Sequence, residues 1–64
     1  MFVRLLPKKV LQSTLRDLRQ VGFSVVKDSS GKYEATDNGG EVVLEAMPGN
    51  HAYLCRLSEK VWNE

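Results

Sequence analysis

Cysteine is almost absent from this chain. Cys55 is the only one in 64 residues, so one copy cannot form an internal disulfide. Histidine is as scarce. His51 and Cys55 together offer two ligands, where a structural zinc site wants four. No metal and no cofactor is expected. No apolar run reaches the length of a membrane span. The opening Met1-Phe2-Val3-Arg4-Leu5-Leu6-Pro7 is too short for a signal-peptide core and has no small-residue cleavage site. A lone thiol without an export signal fits a reducing, cytoplasmic setting. There is no repeat, linker or low-complexity tract, and the chain reads as a complete small open reading frame forming one domain over residues 1–64.

The parts for chemistry are missing too. His51 and Cys55 sit four positions apart, which on one strand separates them by about 13 Å, too far for proton transfer. Cys55, between Leu54 and Arg56, reads as a small core residue. Gly31-Lys32 lacks the longer glycine-rich run and following helix that a phosphate-binding loop requires. Glu34, Glu41 and Glu45 read as strand surface. The chain is not expected to be an enzyme.

What is present is a divided charge. Residues 1–32 carry seven Lys or Arg against two Asp, a net +5. Residues 33–64 carry two basic groups against six acidic ones, a net −4. The overall +1 hides this asymmetry, which favours a charged partner. The 42% hydrophobic content is that of a folded domain. A chain this short buries only roughly 60% of its unfolded surface, so self-association into a homodimer would add stability.

Apolar period and breakers define the elements. Phe2 to Leu6 is a short apolar run, a first strand or an extended lead-in. Pro7 suits a helix start, and Val10, Leu11, Thr14, Leu15, Leu18 and Val21 share one arc at about 100° per residue. Gly22 is a natural C-cap. Strands are expected over residues 23–27, 32–36, 41–47 and 51–57. The turns between them are Asp28-Ser29-Ser30-Gly31, Asp37-Asn38-Gly39-Gly40 and Pro48-Gly49-Asn50. Ser58 caps a short terminal segment over residues 59–64.

The predicted fold is α+β: one amphipathic N-terminal helix packed on a three- to four-stranded antiparallel sheet, in the order (β)αβββ(β). Its core is Leu11, Leu15, Leu18, Val21, Phe23, Val25, Ala35, Val42, Leu44 and Leu54. A single helix covers one sheet face. Val26, Val43, Tyr53, Cys55 and Trp62 are candidates for the other, which either the tail or a partner must cover.

Two surfaces follow. Tyr33, Tyr53 and Trp62 are the aromatic candidates for partner binding. Lys8, Lys9, Arg16 and Arg19 fall on adjacent angular positions of the helix, with Gln12 and Gln20 between them and Asp17 at the margin. They form a basic stripe suited to phosphates or an acidic surface. The leading functional expectation is a non-catalytic interaction module, an inhibitor or accessory regulator of the kind found in phages and mobile elements, acting by protein–protein contact. The alternative is nucleic-acid binding through the basic helix face, with Arg4, Lys27 or Lys32 extending the patch. No membrane or small-molecule partner is expected.

The stretch Leu18-Arg19-Gln20-Val21-Gly22-Phe23-Ser24-Val25-Val26, followed by Gly31 and Tyr33, loosely resembles the helix-to-strand junction of small toxins of the HicA type. Those have a double-stranded-RNA-binding-like fold and cleave RNA with a histidine after a glycine of the first hairpin. The resemblance covers about sixteen residues and is carried mainly by a generic helix–Gly–strand junction. Lys32 stands where that histidine would follow Gly31, so the activity does not carry over and the chain is not assigned to that family.

Overall fold

The computed structural model describes residues 1–62. Strand β1 spans Phe2–Leu6, helix α1 Lys8–Val21, β2 Ser24–Lys27, β3 Tyr33–Thr36, β4 Val42–Pro48 and β5 Tyr53–Leu57. The α+β class holds, with two corrections. The sheet has five strands rather than three or four, and the helix is preceded by β1. Sheet order is β1-β5-β4-β3-β2, antiparallel throughout. Strands β2 to β5 form a meander, and β1 joins its far side beside β5. The helix therefore carries the chain from one sheet edge to the other.

Both helix ends are where the sequence placed them. Leu11 N–H donates to the Pro7 carbonyl at 3.0 Å. At the other end Gly22 takes a left-handed conformation, φ 109°. Gly22 N–H then reaches the Arg19 carbonyl and Phe23 N–H the Leu18 carbonyl, the paired bonds of a Schellman cap. Phe23 and Leu18 both pack into the core beside that cap.

Direct cross-strand partners share a sheet face. The register puts Phe2, Leu6, Tyr53, Cys55, Leu57, Leu44, Ala46, Tyr33, Ala35 and Val25 on the helix side. Leu6, Ala35, Leu44, Ala46, Cys55 and Leu57 are buried there with Leu11, Leu15 and Leu18. At the β3–β4 pairing Ala35 faces Leu44 while Thr36 faces Val42. Val43 is thus the extra residue of a bulge, and it is fully buried.

Several core expectations need correcting. Leu54 is 48% exposed and Val21 71% exposed. On β5 the inward parity belongs to Tyr53, Cys55 and Leu57, which leaves Leu54 outward beside Arg56. Tyr53 and Cys55 are therefore not on the second sheet face. Val21 and Val10 lie about 90° round the helix from the Leu11, Leu15, Leu18 line, beyond what the sheet covers. Phe23, Val25 and Val42 are half-buried. Val61 and Trp62 pack against the core from a turn after Ser58, and the last two positions of the expected 59–64 segment lie outside the described residues.

The two hairpins flanking β3 are closed by the same device. Asp28 Oδ1 accepts from the N–H groups of Ser30 and Lys32 and from the Ser30 hydroxyl. Asp37 Oδ1 accepts from Gly39 and Glu41 N–H. Three residues after each aspartate a glycine takes positive φ, Gly31 at 88° and Gly40 at 86°. A side chain at either position is strained. Gly40→Ala, which meets no neighbouring atom, is expected to cost about 1–2 kcal/mol through backbone strain alone, measured by urea unfolding.

The same bonds set an acid response. The Ser30 hydroxyl holds the Asp28 carboxyl below its ordinary value, and the Glu41 N–H does so for Asp37. A carboxyl depressed in the folded state contributes stability above its unfolded value of about 4, and loses it as pH falls through the folded value. Asp28→Asn with Asp37→Asn should flatten the fall in melting temperature below about pH 4.

Candidate functional site

The sheet has two unlike faces, and the one away from the helix is open. Its register places Leu5, Leu54 and Met47 side by side across β1, β5 and β4. The adjoining row runs Val3, Arg56, Glu45, Glu34 and Val26 across all five strands. Val3, Leu5, Val26, Met47 and Leu54 are all exposed. In the middle of the charged row, Lys32 Nζ lies 3.1 Å from Glu45 Oε2 and Arg56 Nη1 lies 3.8 Å from Glu45 Oε1. The Glu45 hydrogen bond holds the Lys32 ammonium above the usual lysine range. Lys32, Glu45, Met47, Leu54 and Arg56 line a pocket of about 160 Å³ on this face.

The other surface is the outside of the helix. Lys8, Lys9, Gln12, Ser13, Arg16 and Arg19 line one shallow depression along it. The structure thus brings together all four residues of the basic stripe. Arg16 approaches Asp17 at 3.9 Å, with both side chains exposed. Lys8, Lys9 and Arg19 make no ion pair among the described residues. Of the residues expected to extend the stripe, Lys27, the last residue of β2, lies beside it. Lys27 places its ammonium 5.5 Å from the centre of the Tyr33 ring, on the flank where the helix cations lie.

Tyr33 and Tyr53 are on the helix side, half-buried, with ring centroids 5.9 Å apart and planes tilted by 55°. Gln12 Nε2 donates a 3.2 Å hydrogen bond to Tyr33 Oη. That bond, then the fields of Lys27, Arg19 and Lys8, hold the phenol below its ordinary value. Trp62 is not with them. Tyr53 begins β5, whereas Trp62 follows its other end, where Trp62 N–H donates to the Ser58 carbonyl. The three aromatic candidates therefore form a pair and a separate residue, and none lies in the exposed row of Leu5, Leu54 and Met47.

Compared with protein-family models, with curated proteins and with solved structures, the chain matches none. Its surfaces must be read from their own chemistry.

Cys55 is buried, and burial pushes its thiol up, away from the thiolate a nucleophile needs. His51 is exposed before β5. Lys60 bonds both Glu41 and Asp37, tying the C-terminal turn to the β3–β4 turn. Among the described residues there is no cluster of three metal-ligating side chains, and no helix long and apolar enough to cross a membrane.

The Tyr33 environment is open to a direct check. With Tyr53 changed to Phe, Tyr33 is the only remaining tyrosine. In that background Gln12→Leu should move its ionisation to higher pH, followed by phenolate absorbance.

Proposed function

We propose that the protein is a non-catalytic interaction module that acts by protein–protein contact through the open face of its sheet, with a second copy of the chain as the partner. The observation that carries this reading is the row of Leu5, Leu54 and Met47, flanked by Val3 and Val26, on a face that no element among the described residues covers. Burying an apolar side chain of this size gains about 1.5–3 kcal/mol, so covering five of them is a substantial driving force.

Charge favours a second copy over a strongly charged partner. Lys32 and Arg56 balance Glu34 and Glu45, so the face is neutral and does not repel itself. The helix face, with four cations and one carboxylate, would repel its copy. Size agrees as well. The molecule measures 32 × 29 × 18 Å, and its broad face matches the roughly 800 Å² that each partner contributes to a standard interface. A dimer formed this way leaves both helices outermost. A module of this kind works by occupying a surface, as an inhibitor or accessory regulator does.

Light scattering coupled to size-exclusion chromatography tests the reading. The expected species has twice the 7.2 kDa chain mass and persists at high salt, because apolar burial holds it. Leu54→Lys, at an exposed strand position, should give a folded monomer. A wild-type chain that is monomeric at its highest soluble concentration overturns self-association, as does a Leu54→Lys variant that remains dimeric.

A further inference from the structure

We infer that the outer face of the helix, extended by Lys27, is a binding surface for the phosphodiester backbone of a nucleic acid, independent of the sheet face. Folding, rather than the chain's net charge, creates it. Among the described residues, the carboxylates Glu34 and Glu45 lie on the opposite sheet face, and Asp28, Asp37, Glu41 and Glu59 lie in or beside turns. The strands present no acid on the helix side. Lys8, Lys9, Arg16, Arg19 and Lys27 are left around one exposed surface opposed only by Asp17.

These cations are unlike the others. Lys32, Arg56 and Lys60 each sit against a carboxylate that tethers part of the fold. The helix cations tether no second element through a carboxylate. Lys8 and Lys9 occupy the first helical turn, which holds no acidic residue. That is the end where the helix macrodipole disfavours positive charge. Arg16 has only an exposed 3.9 Å approach to Asp17, a kind of pair that contributes little. Arg19 in the last turn suits the helix dipole and Lys27 meets the Tyr33 ring, but the fold gains little from Lys8, Lys9 and Arg16, and a polyanion gains more.

The geometry also says which part of a nucleic acid is met. Tyr33 lies beside these cations, but Lys27 stands over its ring and Gln12 holds its hydroxyl. Tyr53 packs against it. With those contacts in place the ring is no platform for stacking a base. Contact is therefore with phosphates, and binding should depend little on sequence.

The test is fluorescence anisotropy with a labelled single-stranded RNA and a labelled DNA duplex, both of mixed sequence. For about four neutralised phosphates, affinity should fall about 10²-fold between roughly 50 and 200 mM salt. For four phosphates the expected slope is about −3.6 on the duplex and about −2.8 on the single strand. Arg16→Gln with Arg19→Gln should weaken binding about tenfold and flatten the salt slope by about 2. Removing the distant Lys60 cation as Lys60→Gln should change neither. No binding to either probe at low salt overturns the inference. So does undiminished binding by the double variant, and so does competition by polyglutamate as effective as by unlabelled nucleic acid, which would make the partner an acidic protein.

Discussion

A single helix of fourteen residues has to close the core of a five-stranded sheet. A helix is about 10 Å across, whereas five strands at about 4.8 Å spacing span roughly twice that. One helix can shelter the middle of one face and nothing else. The residue sizes agree with that demand. Ala35, Ala46 and Cys55 are small and fully buried, and Ala46 directly faces Cys55 across β4 and β5. They are the small members of the buried set beneath the helix, and Leu6, Leu44 and Leu57 are the large ones. The second face, the half-buried flanks and the exposed ends of the helix all follow from this shortage of cover.

The sequence disclosed its local structure well and its long-range structure poorly. The helix was legible to the residue because its period, Pro7 and Gly22 agree. The Asp-x-x-Gly turns were legible because only a few residue types serve there. Strand β1 was visible as an apolar run, but its place in the sheet depends on β5 at the other end of the chain. The parity of β5 was hidden because Tyr53, Leu54 and Cys55 are all apolar enough to point inward, and only Leu57 and Arg56 decide it. The bulge at Val43 was hidden for the same reason, inside Val42-Val43-Leu44. Apolar runs conceal parity, and the open face was misassigned for that reason.

The candidate surfaces show the same division. Lys8, Lys9, Arg16 and Arg19 could be grouped from helical spacing alone. That Lys27 and Tyr33 join their flank depends on the path of the helix across the sheet, which spacing does not give. The sequence splits its charge into two halves of the chain. The folded molecule sorts it differently, into a basic helix side, a neutral open face and paired charges at the turns. Lys32 and Arg56 belong to the neutral face although they come from different halves.

The pairing of β1 with β5 bears on how the molecule is made. Strands β2 to β5 are joined by short turns and can assemble from neighbours. Strand β1 emerges before the other described strands, yet its partners, from Leu57 opposite Phe2 to Tyr53 opposite Leu6, emerge after all of them. Until they arrive, the earliest segment has no strand to lie against, and Leu6 has no finished core to enter. Strand β1 is thus a latch that closes late, and a nascent chain stalled before β5 holds an apolar strand with nowhere to go.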